Sequence, residues 1–330
     1  MTTAFVLSGG GGLGAVQVGM LQALAARKQT PDLLVGTSAG ALNASYIAGF
    51  GTTGDVLDAL AEIWIQLRRG DVFPLSPSRH LLALAGARES IFAADGLRRL
   101  IDKHLPYRLL EDAVIPVHVV ATNVLSGEEV LLSSGDAVSA VLASTAIPGL
   151  LPSVRRDGLT LVDGALANNA AISQAISLGA DRIFVLPAGV ACAVARPPAN
   201  PYASALQALS FLTQQRLIRD VADLADRAEL HVIPPLCPLA VSPADFGHAR
   251  ELIDRARIAA GRWLDASRDR LSRQERFLSL HGHTDEPAAV RVRRGPLAAL
   301  RPGGNRWPAW GSQPATPRTR GTAAARCPGD

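Results

Sequence analysis

Twice within the first forty residues a short apolar segment runs into a glycine-dominated turn and then into a stretch of small, helix-compatible residues. Phe5-Val6-Leu7 leads through Ser8-Gly9-Gly10-Gly11-Gly12-Leu13-Gly14 into 15–26, and Leu33-Leu34-Val35 leads through Gly36-Thr37-Ser38-Ala39-Gly40 into 39–48. Apolar runs this short, bounded by turn residues and followed by proline-free stretches, read as buried strands feeding helices. Two such units in succession require parallel strands joined by helical crossovers, because a parallel neighbour cannot be reached by a tight hairpin.

The rest of the chain extends the pattern. Residues 117–122 (VHVVAT) and 129–132 read as strands, and 137–144 as a short helix ended before Pro148-Gly149, where proline and glycine forbid continuation. Asp157-Gly158 is a hairpin-type turn, placing 159–162 on a strand that delivers Asp163 at its end. Segments 182–186 and 230–233 supply further strands, while 203–228 and 246–277 read as long helices. Over 70–95, where Pro74, Pro77 and Gly86 punctuate the chain, the apolar Leu81-Leu82-Ala83-Leu84-Ala85 could be a core helix or a lid, with core packing the better fit. From about 286 the composition shifts to Arg, Pro, Gly and Ala without periodicity, which predicts disorder. The expected organisation is one domain over 1–285, with a motif-bearing core of about 5–190 and a helical C-terminal portion of about 203–280, followed by a tail over 286–330.

Composition narrows the function classes. The net charge is +4, but residues 287–330 hold eight arginines against Asp330 alone, so the remainder is slightly acidic and no nucleic-acid-binding fold is expected. The tail could touch anionic lipid, although no apolar face accompanies its charge. Cys192, Cys237 and Cys327 are odd in number and widely spaced, which suits free thiols better than disulfides or a zinc site. The start lacks a basic region and a long apolar run, so cytoplasmic residence is the default. The longest apolar stretch, 183–195, is broken by Pro187 and Gly189 and is too short to span a bilayer.

The glycine loop satisfies the dinucleotide pattern G-x-G-x-x-G at Gly9, Gly11 and Gly14. That reading needs an acidic residue after the next strand to hold ribose, whereas this chain places Asp32 before the strand and Gly36-Thr37-Ser38 after it. Read instead as an anion-binding turn, the loop offers the N–H groups of Gly10, Gly11 and Gly12 at a helix start, where unpaired donors favour negative charge. Gly36-Thr37-Ser38-Ala39-Gly40 is G-x-S-x-G, the turn that projects a nucleophilic serine from the top of a sheet. Together they suit acyl transfer, with a hydroxyl to attack and N–H donors for the oxyanion. The base is less evident. None of His80, His104, His118, His231, His248, His281 and His283 lies in a distinctive context, while Asp163-Gly164-Ala165 ends a strand.

In this order, and with Ala143-Ser144-Thr145-Ala146-Ile147-Pro148 between the second and last, these motifs resemble those of the patatin-like phospholipases over 5 to about 190. The resemblance implies a three-layer α/β/α sandwich with a mainly parallel sheet, no cofactor and no metal. It implies a Ser-Asp dyad without histidine: Ser38 as nucleophile, Asp163 as general base, and Gly10, Gly11 and Gly12 as oxyanion donors. Gly9, Gly14, Gly36, Gly40 and Gly164 would support the motifs. The implied partner is a lipid or small acyl-ester substrate, met in the cytoplasm or by peripheral membrane contact. One departure is Leu13, where members of the family often carry a lysine or arginine; a cation there would strengthen the field at the oxyanion. Three other readings stay open: an α/β-hydrolase using a late histidine, an acyltransferase using the same serine, and a non-catalytic lipid-binding protein.

Overall fold

The computed structural model describes residues 1–74, 76, 78, 82, 83, 85–189, 201–237, 239, 241–266 and 278. The readings made for 81, 84, Cys192, Cys327, the helix beyond 266 and the tail over 286–330 lie outside them. One compact unit spans Met1–Thr284.

Eight strands form one mixed sheet: β1 (Thr3–Leu7), β2 (Leu33–Thr37), β3 (Val117–Asn123), β4 (Glu129–Leu132), β5 (Val154–Arg156), β6 (Leu159–Asp163), β7 (Arg182–Leu186) and β8 (Glu229–Val232). Along paired neighbours the order is β5-β6-β3-β2-β1-β7-β8, with β4 also on β3. The ladders from β3 through β2, β1 and β7 to β8 are parallel, and those joining β4 and β6 to β3, and β5 to β6, are antiparallel.

The helices are α1 (Ala15–Ala25), α2 (Ala39–Phe50), α3 (Gly54–Gln66), α4 (Arg69–Val72), α5 (Asp95–His104), α6 (Ala137–Ser144), α7 (Ala165–Asn168), α8 (Ile172–Ser177), α9 (Pro201–Leu224) and α10 (Ala249–Ala266). Alternation along β1 separates two cores, since successive side chains point to opposite sheet faces. Phe5 and Leu7 pack with α1, α2, α3, α6 and α10, whereas Ala4 and Val6 pack with Ile172 and Ala175 of α8 and Leu217 and Val221 of α9. This is the α/β/α sandwich expected. On the first face α10 lies so close to α1 that a methyl group at Gly19 would stand 2.2 Å from the carbonyl oxygen of Ile253.

Besides the short helices α4, α7 and α8, three elements escaped the sequence reading. Helix α3 buries Leu57, Leu60, Ala61 and Trp64, a spacing of three and four that places them on one face. Helix α5 buries Leu97 and Ile101 in the same way. Strand β5 is the partner that the Asp157-Gly158 turn demands, in a ladder pairing Arg156 with Leu159.

Register on β3 decides what the fold brings together. Strand β2 covers β3 from Leu34↔Val117 to Thr37↔Val120, and β6 covers it from Ala121↔Asp163 to Asn123↔Leu161. Strand β4 pairs with 119–122 at the same time, so it holds the opposite edge. Strands β2 and β6 therefore share one edge of β3 and meet tip to tip, and the residues at their tips become neighbours.

Candidate active site

Those tips carry Ser38 and Asp163. Ser38 turns the chain from β2 into α2 with φ 53° and ψ −122°, a strained backbone for a residue with a side chain. The turn is held from several directions. Its backbone N–H donates to Ser144 Oγ at 2.8 Å, and Thr37 Oγ1 donates to the Asn168 carbonyl at 3.1 Å. At Gly40 a methyl group would stand 2.1 Å from the Leu7 carbonyl oxygen, so only glycine lets α2 start this close to β1. Gly36 sits tight against Ala41 in the same turn.

Asp163 is equally fixed. Its main-chain N–H donates to the Ala146 carbonyl at 2.9 Å, and its carbonyl accepts from Thr122 Oγ1 at 2.8 Å. Gly164 presses on the Val120 carbonyl with no room for a β-carbon. The carboxylate accepts two hydrogen bonds, from Ser38 Oγ to Oδ2 at 2.7 Å and from the Ala165 N–H to Oδ1 at 2.8 Å. Both side chains are buried, with 6% of Ser38 and 3% of Asp163 exposed. Burial pushes the Asp163 carboxyl from 3.8 up to about 6, with the two donated hydrogen bonds pulling the other way. A carboxylate so placed is a better proton acceptor near neutrality than one in water.

The glycine loop lies beside the pair. Gly9 approaches Ser38 Cβ and Asn169, and its N–H donates to Asn169 Oδ1 at 3.0 Å. Gly11, with φ +56°, opens a 3₁₀ turn over Gly11–Gly14 that runs directly into α1. Of the three expected oxyanion donors, Gly10 and Gly11 have N–H groups without an acceptor among the described residues. Gly12 differs, because its N–H donates to the Pro243 carbonyl at 2.7 Å. That carbonyl belongs to a strap over 241–248, between β8 and α10, which lies on the loop so closely that methyl groups at Gly11 or Gly12 would strike Pro243 or Asp245. Phe246 anchors the strap by packing edge-on against Phe73.

Leu13 is 1% exposed and packs within the hydrophobic core, and Gly14 abuts the ring of Trp64. Beneath the loop lies a polar network that sequence reading did not find. Gln17 Nε2 donates to the carbonyls of Ser8 and Leu186 at 2.8 and 2.9 Å. Asn43 Nδ2 donates to Gln17 Oε1 and to the Gly14 carbonyl, and Trp64 Nε1 donates to Asn43 Oδ1 at 2.7 Å. The network fixes the floor of the loop from α1, α2 and α3 together. Ser8 Oγ adds a bond from the Ala188 N–H at 2.9 Å, tying the loop's entry to the end of β7.

Among the described histidines, His104, His118, His231 and His248 form no bond with Ser38 or Asp163, while His80, His281 and His283 lie outside the described residues; the described residues hold no cluster of potential metal ligands. The pair can therefore do one kind of chemistry without further groups, the removal of a serine proton by a partly desolvated carboxylate beside unpaired N–H donors.

The patatin-like phospholipase family model matches residues 5–176. Among curated proteins, patatin-like phospholipase domain-containing protein 7 of Rattus norvegicus is 28% identical over 188 residues, which is 56% of this chain and 13% of the relative. Lysophospholipase NTE1 of Pyricularia oryzae is 27% identical over 195 residues, 57% of this chain and 12% of the relative. The chain thus spans about an eighth of the length of these relatives. Among solved structures, VipD from Legionella pneumophila aligns with a TM-score of 0.40 at 17% identity, covering 80% of this chain and 66% of that one.

Proposed function

The chain belongs to the patatin-like phospholipase family, and on that premise we propose that it is a serine acyl-ester hydrolase of lipids working through Ser38 and Asp163. The observation that carries the reading is the 2.7 Å bond between two buried side chains delivered by two strand tips. As Ser38 Oγ attacks the ester carbonyl, Asp163 Oδ2 takes its proton. The N–H groups of Gly10 and Gly11 stabilise the alkoxide that forms, each worth about 3 kcal/mol in such a site. The proton then passes from Asp163 to the departing alcohol, leaving an acyl group on Ser38. Asp163 next accepts a proton from water, whose oxygen attacks the acyl carbonyl; the proton returns to Ser38 as the carboxylic acid leaves. Gly12, bonded to Pro243, holds the shape of the loop and is not a third donor in this conformation.

The names of the fungal relatives contain lysophospholipase, so monoacyl phospholipids belong in the first substrate panel. No described helix is long and apolar enough to cross a membrane. The test is turnover of p-nitrophenyl esters, phospholipids and lysophospholipids by wild type, Ser38→Ala and Asp163→Asn, with fluorophosphonate labelling. Labelling of wild type alone or of wild type and Asp163→Asn, with turnover confined to wild type, is the expected outcome. Full activity in either variant, or loss of activity on replacing one of the seven histidines as the base, would sink the dyad.

A further inference from the structure

Ten large apolar side chains among the described residues stand in water, and four of them share one end of the sheet. Leu125 is 87% exposed, Leu212 70%, Val124 47% and Leu166 44%. All four sit where the parallel strands end. Val124 and Leu125 form the turn after β3, with the Val124 N–H bonded to the Thr160 carbonyl, three residues beyond the point where Ala121 faces Asp163. Leu166 follows Asp163 by three residues on α7, whose Ala167 N–H donates to Thr122 Oγ1 at 3.2 Å. Helix α9 is the crossover between the parallel strands β7 and β8, so its first half lies at this same end. One turn beyond Leu212, Arg216 donates from Nη1 to the Ala167 carbonyl, which fixes α9 against α7.

Charge is absent from the same segments. Residues 123–127, 164–169 and the first fifteen positions of α9, 201–215, contain no Asp, Glu, Lys or Arg, whereas the last nine of α9 hold Arg216, Arg219, Asp220 and Asp223. At the rim, Glu128 and Glu129 stand on one side, Arg155 and the Arg156–Asp157 ion pair flank Val124 on the β5–β6 hairpin, and the Arg216–Asp220 ion pair lies by α9, so four carboxylates face three guanidinium groups and the border carries no excess of positive charge. An apolar, uncharged surface with a mildly acidic border complements a partner that is neutral and apolar beneath a polar skin, and it repels an anionic one.

From this we infer that Val124, Leu125, Leu166 and Leu212 form a docking surface that seats the catalytic end of the sheet on a zwitterionic lipid surface. The inference rests on the hydrolase reading for its purpose, because it places the Ser38–Asp163 pair where an ester would leave the lipid layer. Binding acts through insertion of apolar side chains and not through charge, in contrast to an attachment by the arginine-rich tail.

The test uses the full chain carrying Ser38→Ala, so that vesicles are not consumed, and measures sedimentation with phosphatidylcholine vesicles. Each exposed leucine strengthens partition by about tenfold or more when it enters hydrocarbon. Leu125→Asp and Leu212→Asp should therefore each weaken partition about tenfold, and the pair about a hundredfold. Val114→Asp, at a residue 77% exposed but lying before β3 at the opposite end of the sheet, should leave partition unchanged, as should raising the salt. With Ser38 restored, turnover of a soluble short-chain ester should be the same in all these variants, showing that they fold. Unchanged partition in the double variant, or partition abolished by salt, would overturn the inference. So would self-association that the double variant abolishes, since the patch would then join two copies. Absence of vesicle binding by the parent Ser38→Ala chain, with soluble-ester turnover present in wild type, would fail the surface alone, whereas leucine-dependent vesicle binding in a chain without any ester turnover would support the surface and fail the hydrolase reading.

Discussion

Replacing Asp163 by asparagine should make the protein more stable while abolishing its turnover. The carboxyl is ionised at a cost, because burial raises it from 3.8 to about 6. Folding thus favours the protonated form, and the associated stability is fully present below 3.8 and is lost as pH rises through about 6. By pH 8 the loss amounts to about 3 kcal/mol, at 1.36 kcal/mol for each unit of displacement. Asparagine keeps the contacts: its Oδ1 accepts from the Ala165 N–H and its Nδ2 donates to Ser38 Oγ, in place of the bonds at 2.8 and 2.7 Å. The variant should gain about 2–3 kcal/mol at pH 8, a rise in Tm of about 5–10 °C for a chain of this size. At pH 4 the carboxyl is protonated in the folded state and half protonated when unfolded, so the gain should fall below about 1 kcal/mol. Calorimetry of both proteins from pH 4 to pH 8 reads the difference directly. A gain that does not vary with pH, or a variant less stable than wild type at pH 8, would refute the argument that burial of an ionised Asp163 is stored strain.

The same group should set the pH dependence of catalysis. kcat/KM on a soluble ester should rise with pH to a plateau, half-maximal near pH 6, because the base must be deprotonated; a limb centred near 4 would show an unperturbed carboxyl. Ser38→Gly should be more stable than Ser38→Ala by about 1 kcal/mol or more, since glycine accepts φ 53° and ψ −122° without strain, and chemical denaturation of the two variants decides it. Trp64→Phe removes the donor to buried Asn43 Oδ1 and should cost about 1–3 kcal/mol in a urea melt, with soluble-ester kcat falling as the loop floor loosens.

How much of this was readable in the chain follows from the kind of force involved. The two strand–turn–helix units were legible because glycine and apolar runs are local signals, and Ser38 and Asp163 stood out because each ends a strand. Their meeting was not legible from spacing, since it depends on β2 and β6 sharing one edge of β3, a matter of register between residues 83 apart in one ladder and 38–42 apart in the other. Gln17 and Asn43 gave no warning: amides on small-residue helices look like surface positions until the carbonyls of Ser8, Leu186 and Gly14 are brought to them. Helices α3 and α5 could have been found, as Leu57, Leu60, Ala61 and Trp64 recur at helical spacing. The engagement of Gly12 by Pro243 was beyond reach, because the two are 231 positions apart and the acceptor is a backbone carbonyl.

The strap of Pro243 and Asp245 and the close seat of α10 on Gly19 bear on how portable this module is. The family match closes at residue 176, yet the loop is held from outside by residues from 241 onward, and β1 loses its neighbour β7 if the chain is cut at that boundary. Motif order is therefore inherited in the first half of the domain, while the dimensions of the loop are set in the second. Grafting the matched segment alone into another protein would carry over Ser38 and Asp163 without the gauge that spaces the loop beside them, and relatives that share the motifs can differ in rate through a region that lies beyond the family match.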